Sequence, residues 1–205
     1  AVLNCNFGDF EKSETLHMEC LELKRKMLGD KHKLTLKSLH AVATLHHIKG
    51  NYTEAQSLFE ECLHSQEELL GRAHIDTLNT YKDLAFLYHK KGDQNKADLL
   101  LQTSHEKFVM TLGKEHPVTL SALNCLAVFH QTKGDYPNSK RLHKSCWEQR
   151  KLLLGETHLA TLDSLNNLAI ASKALGEYSE AEVHFQEVYR LRKEILGNTH
   201  PDTLD

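Results

Sequence analysis

Two columns of glycine run along this chain with one period. Gly8, Gly50, Gly92, Gly134 and Gly176 stand 42 residues apart, and Gly29, Gly71, Gly113, Gly155 and Gly197 repeat the spacing. A third column is His32, His74, His116, His158 and His200. A fourth is the pair Thr35-Leu36, Thr77-Leu78, Thr119-Leu120, Thr161-Leu162 and Thr203-Leu204. A fixed period of this length marks supersecondary units that cannot bury their apolar faces alone and must stack on their neighbours. No insertion breaks the register, so one unit's fold is every unit's fold.

Within a unit the apolar pattern is helical twice over. From Asn51 to Leu70, the residues Ala55, Leu58, Phe59, Cys62, Leu63 and Leu69 or Leu70 follow the spacing of one helix face. From about Leu34 to Lys49, a second stripe holds Leu36, Leu39, Val42, Ala43 and His46. The glycine after each stripe supplies a left-handed residue beyond the last turn, where a Cβ would be penalised. Each unit is therefore a shorter helix, a turn at Gly-Asp, Gly-Asn or Gly-Glu, a longer helix, and a loop carrying the histidine. The expected fold is all-α, a solenoid of antiparallel helix pairs forming a single array over 1–205. Full repeats are expected at 34–71, 76–113, 118–155 and 160–197. A partial repeat occupies 1–29, with its long helix at 9–28 and Ala1 to Phe7 as the tail of a short helix. A further repeat begins within 198–205. Neither end carries the polar cap of a terminal repeat, which predicts a piece of a longer array.

Composition narrows the function classes. Lys and Arg number 25 against 28 Asp and Glu, a net charge of -3, so no basic field draws the chain to nucleic acid or to an acidic membrane. No stretch approaches the roughly 18 unbroken apolar residues of a membrane span. The opening Ala1-Val2-Leu3-Asn4-Cys5 lacks a basic segment followed by an apolar run. The five cysteines form no C-x-x-C pair, and their odd number fits a reducing, cytoplasmic setting better than a disulfide framework.

Fifteen histidines invite a metal or catalytic reading. Positions one repeat apart lie about 10 Å apart by the spacing of packed helices, too far for two imidazoles on one zinc at about 2 Å each. Pro117 and Pro201 directly follow members of the histidine column, which suits a residue that opens a helix. His40, His46 and His47 share a short helix without metal-ligand spacing, and His46 stands in the column of Tyr88. Cys20, Cys62, Ser104 and Cys146 make a column of small packing residues. There is no nucleotide-binding glycine loop and no nucleophile-base pattern. The expectation is no enzyme, with no catalytic residue, metal or cofactor.

The block Thr161-Leu162-Asp163-Ser164-Leu165-Asn166-Asn167-Leu168-Ala169, closed by Gly176-Glu177-Tyr178-Ser179-Glu180-Ala181-Glu182, resembles a tetratricopeptide repeat of the 42-residue type found in kinesin light chains. Tyr81, Leu84-Ala85 and Tyr88 repeat its short-helix signature, and Ala55 with Phe59, and Ala181 with Phe185, its long-helix signature. The resemblance implies a right-handed superhelical α-solenoid whose short helices line a concave groove, and a scaffold that binds a peptide segment of a protein partner, as kinesin-light-chain-like cargo adaptors do. Helical phase and this resemblance give the groove set as Lys37, His40, Asn79, Lys82, Phe86, His89, Asn124, Val128, Asn166, Ile170 and Lys173. The same reading also turns Thr44, His47, Ser121, Gln131 and Asp163 towards the groove. Asn124 and Asn166 are the candidates to clamp a peptide backbone, because an amide offers both donors and an acceptor. Lys37, Lys82, Lys90 and Lys173 outnumber Asp83 and Asp163, which predicts an acidic segment with an apolar anchor against Phe86, Val128 or Ile170. The alternative is a structural array that spaces other domains or self-associates through uncapped ends at Leu3 and Leu204.

Overall fold

The computed structural model describes residues 7–197 and 200, with side chains from residue 13 onward. Its regular structure, among these residues, is helical throughout. The order is α1 (Phe7–Leu28), α2 (Lys33–Lys49), α3 (Tyr52–Leu69), α4 (Ile75–Lys90), α5 (Gln94–Leu112), α6 (Pro117–Thr132), α7 (Tyr136–Leu154), α8 (Leu159–Ala174) and α9 (Tyr178–Leu196). Short helices α2, α4, α6 and α8 thus alternate with longer ones, as the period predicts. Gly8 departs from its column: it lies inside α1 and ends no helix. Leu3, Leu204, Pro201 and most of the expected stubs at 1–7 and 198–205 fall outside the described residues.

Each short helix opens in the same way. The Nδ1 of His32, His74, His116 and His158 accepts the backbone N–H two residues on, at 3.2, 3.1, 3.2 and 3.2 Å. These histidines are N-caps, and each satisfies one of the four N–H groups that a helix start leaves without a partner. At the other end, Asn51 N–H reaches the His46 carbonyl at 2.9 Å, closing the last turn of α2 around Gly50. Gly50 sits at φ 83, ψ 5, left-handed as expected. Gly155, after α7, combines φ 88 with ψ 166, a region that essentially only glycine visits. Nothing lies within 4 Å of the Cβ positions at these glycines, so conformation and not space demands the residue.

The chain divides into two compact units, residues 1–100 and 101–205, the division falling within α5. In the first, α1 packs on α2, α2 on α3, and α3 on α4. Leu21, Leu36, Leu39, Val42 and Cys62 form one buried cluster there, and Ala43, Ala55, Phe59, Leu84 and Leu87 another. In the second unit α6 packs on α7, α7 on α8 and α8 on α9. There Leu165, Leu168 and Val188 are buried with Trp147 against them. The alanine column of Ala43, Ala85, Ala127 and Ala169 is wholly buried, which allows close approach of helices. Cys62 and Cys146 are fully buried and each points its thiol at a carbonyl of the preceding short helix, Leu36 or Leu120, at 3.5 Å. Burial pushes the Cys62 thiol up to about 12 and raises that of Cys146, so both are packing groups without thiolate reactivity.

A polar rung joins each of three long helices to the next short helix, across 14 residues. Lys24 Nζ donates to Ser38 Oγ at 2.7 Å, Thr80 Oγ1 to Gln66 Oε1 at 2.7 Å, and Arg150 Nη1 to Ser164 Oγ at 2.8 Å. The corresponding residues of the remaining repeat, Phe108 and Ala122, are apolar and buried. Both members of each pair have changed character together, which leaves neither as a lone polar group at that rung.

Candidate functional site

The short helices bury Leu36, Leu39, Val42 and their equivalents, and this fixes which residues remain on the opposite face. None of the eleven residues expected to face a ligand is buried: Lys37, Asn79 and Lys173 are exposed and the other eight half-buried.

In the first unit, Lys37, His40 and Asn79 come together with Gln66 and Asp76 around a pocket of about 90 Å³. The His40 ring meets Phe59 edge-on at 5.3 Å between centroids. Its Nε2 lies 3.1 Å from Asp83 Oδ2, at an angle too poor for a hydrogen bond. Lys82 Nζ is 3.5 Å from the other oxygen of Asp83. Two of the expected basic groups thus surround one carboxylate, which reduces the positive charge on offer. His47 packs edge-on against Tyr52 at 5.9 Å. Burial lowers its pKa and the Asp83 charge opposes that only in part, so His47 is neutral at pH 7. His89 Nδ1 lies 3.1 Å from Gln94 Oε1. Lys37 and Lys90 are in no ion pair.

In the second unit, Asn167 Nδ2 donates to Asn124 Oδ1 at 3.1 Å, linking α8 to α6. This is the position of the His40–Asp83 contact two repeats earlier, filled with different chemistry. The Asn124 acceptor is thus engaged, while its own amide N–H groups donate to no protein acceptor. Asn166 makes no hydrogen bond and retains both functions. Val128 and Ile170 flank the two asparagines half-buried, and Lys173 lies exposed near the end of α8. Asp163 is held by Arg192 Nη2 at 2.7 Å.

Sequence reasoning missed Asp83 and Asn167 as organisers of this face. Both stand directly after the first asparagine column, at Lys82 and Asn166, and the neighbouring column was the signal. Among the described residues, no three His, Cys, Asp or Glu side chains converge as a metal site. Nor is any helix long and apolar enough to cross a membrane.

The sequence matches the model of the tetratricopeptide repeat over residues 1–65, 37–108 and 118–194. No curated protein sequence matches it. Among solved structures, the chain is similar to the putative kinesin light chain of Podosopora anserina with nearly identical TPR-like repeats. The identity is 25%, 93% of this chain and 90% of that one are covered, and the TM-score is 0.71. It is also similar to BtubC of P. vanneervenii at 22% identity, covering 95% of this chain and 77% of that one, with a TM-score of 0.70. The apo quorum sensor NprR of B. thuringiensis shares the fold at 16% identity and a TM-score of 0.63, over 91% of this chain and 50% of that one.

Proposed function

Because the chain belongs to the tetratricopeptide repeat family and its repeats are of the 42-residue, kinesin-light-chain-like kind, we propose that it is an interaction scaffold, not an enzyme, whose short-helix faces bind an extended acidic segment of a partner protein. The observation that carries this reading is the unengaged polar chemistry of those faces. Lys37, Asn79, Asn166 and Lys173 form no ion pair or hydrogen bond, although each side chain reaches solvent. An amide beside an apolar neighbour, as Asn166 beside Ile170, suits a strand-like peptide: the amide pairs with its backbone and the apolar group with one of its side chains. The lysines favour carboxylates through complementarity of charge. A cytoplasmic, adaptor-like role accords with Cys20, Cys62 and Cys146, all free thiols.

Isothermal titration with short peptides carrying several Asp or Glu residues and one Trp tests this. Micromolar binding is expected, lost when the acids are replaced by amides and weakened by the double substitution Asn124→Ala, Asn166→Ala. Equal heats from acidic and amidated peptides would remove the acidic preference, and unchanged binding by the double variant would remove the clamp.

A second reading, a self-associating array, is favoured by α1, where Leu16, Cys20, Leu23 and Met27 line an apolar hollow of about 430 Å³. Met27 is 80% exposed. Sedimentation velocity decides: concentration-dependent dimers abolished by Met27→Glu support self-association, and a monomer at every concentration disposes of it.

A further inference from the structure

A second hollow in the 101–205 unit differs from the peptide face in both shape and charge. It opens where α6 and α8 begin and α7 ends, encloses about 470 Å³, and is walled by Pro117, Leu120, Leu153, Leu154 and Ala160. That volume falls within the range of small-molecule and side-chain pockets. One wall is cationic. Arg150 Nη1 is anchored on the Ala160 carbonyl at 3.0 Å and on Ser164 Oγ at 2.8 Å, which holds the guanidinium plane in place. Its Nε and Nη2 have no protein partner and are not sealed from solvent. A fixed guanidinium with one free edge matches a carboxylate in two-pronged geometry. Glu115, at the rim, and Ser121, one turn before Asn124 on α6, complete the mouth.

The period supplies the internal comparison. Two repeats earlier, Gln66 stands in place of Arg150 and Asp76 in place of Ala160, and the corresponding hollow is only about 90 Å³. There the Asp76 carboxylate and the Lys37 ammonium share the lining, and no anchored guanidinium is present. In the later repeat the acid is gone and a guanidinium has replaced the amide. The same position in the fold has therefore exchanged a lysine and a carboxylate for one anchored guanidinium in a larger, more apolar hollow.

We propose that this hollow receives one acidic side chain of the partner peptide together with its aliphatic neighbour, the carboxylate on the free edge of Arg150 and the aliphatic group against Leu120, Leu153 and Leu154. The inference rests on the peptide-binding reading and goes further, because it assigns the register: the acidic residue lies beyond the segment that crosses Asn124, past Ser121. Glu115 at the rim opposes a second negative charge, so the subsite selects an acid flanked by an aliphatic residue and not a run of acids.

Selection of short random peptides displayed on phage, against the immobilised chain and two variants, tests the assignment. Arg150→Gln copies the residue at 66, whose side chain makes the equivalent contact to Thr80. Ala160→Asp copies Asp76 and leaves Arg150 and its backbone anchor untouched. A carboxylate at the first turn of a helix is also well tolerated. The wild-type chain should enrich peptides with a Leu or Ile beside a single Asp or Glu. Both variants should lose that dipeptide while keeping the remainder of the motif, and affinity for the selected peptide should fall roughly tenfold or more, the size of one charge-assisted contact. Identical motifs for all three proteins would overturn the subsite and leave peptide binding standing. No enrichment by the wild-type chain would overturn both.

Discussion

His32, His74, His116 and His158 cap the helices they precede, and the effect on stability can be measured residue by residue. His116 accepts the Val118 N–H through Nδ1 at 3.2 Å. Removing an N-cap acceptor costs about 1 kcal/mol. His116→Ala should lower the urea midpoint correspondingly, and His116→Asn should recover most of the loss; equal losses in both variants would show that the ring packs and does not cap. His143 behaves differently. It stands in the column of Phe59 and Leu101, is fully buried, and has no partner for either ring nitrogen. Burial first, and the nearby Arg150 charge second, lower its pKa to about 4. The unfolded imidazole, at about 6.5, binds protons that the folded one refuses, so stability is fully present above that value and is lost as pH falls towards 4. The loss is on the order of 3 kcal/mol across that window. Urea titrations near neutrality and near pH 4 should show His143→Leu losing much less stability on acidification than the wild-type chain; parallel losses would contradict this. The sequence placed the histidine column at helix starts through its period and Pro117. It left His143 unread, although the column of Phe59 and Phe185 marked that position as a packing one.

At the scale of elements, the apolar period made the alternation of short and long helices legible to within a residue or so. Glycine after each helix marked the stops because a positive φ leaves little choice of residue. The exceptions are instructive. Gly8 sits inside α1, since a glycine can be carried within a helix at a modest penalty. The rungs between repeats were also present in the sequence, as pairs 14 apart, but their meaning depends on which long helix meets which short one. Gln66–Thr80 and Phe108–Ala122 are two solutions to one packing problem. Gln66→Phe alone should crowd Thr80 and leave its hydroxyl only the Asp76 carbonyl, at 3.2 Å, whereas Gln66→Phe with Thr80→Ala copies a pair that the fold already accommodates. A double-mutant cycle on thermal unfolding should give a favourable coupling of about 1 kcal/mol or more. Strict additivity would show that the two residues of the rung are independent of one another.

For the whole molecule, the fold class and family were legible because every repeat restates them. The candidate site was legible only in outline. Helical phase put Lys37, His40, Asn124 and Asn166 on the open face, and no phase argument could foresee that Asp83 would gather His40 and Lys82, or that Asn167 would engage Asn124. Those contacts depend on side chains meeting between adjacent repeats. They leave Lys37 and Lys90 in the first unit and Lys173 in the second as basic groups outside any ion pair. The central claim is that partners dock on the short helices. Backbone amide shifts of the isotope-labelled chain, followed by NMR during titration with an acidic, tryptophan-containing peptide, test this directly. The account predicts shifts clustered on α2, α4, α6 and α8, around Lys37, Asn79, Asn124 and Asn166, and at the end of α7 around Arg150, while α9 and the first turns of α3 and α7 stay still. Shifts confined to the long helices, with the short ones silent under saturating peptide, would contradict it.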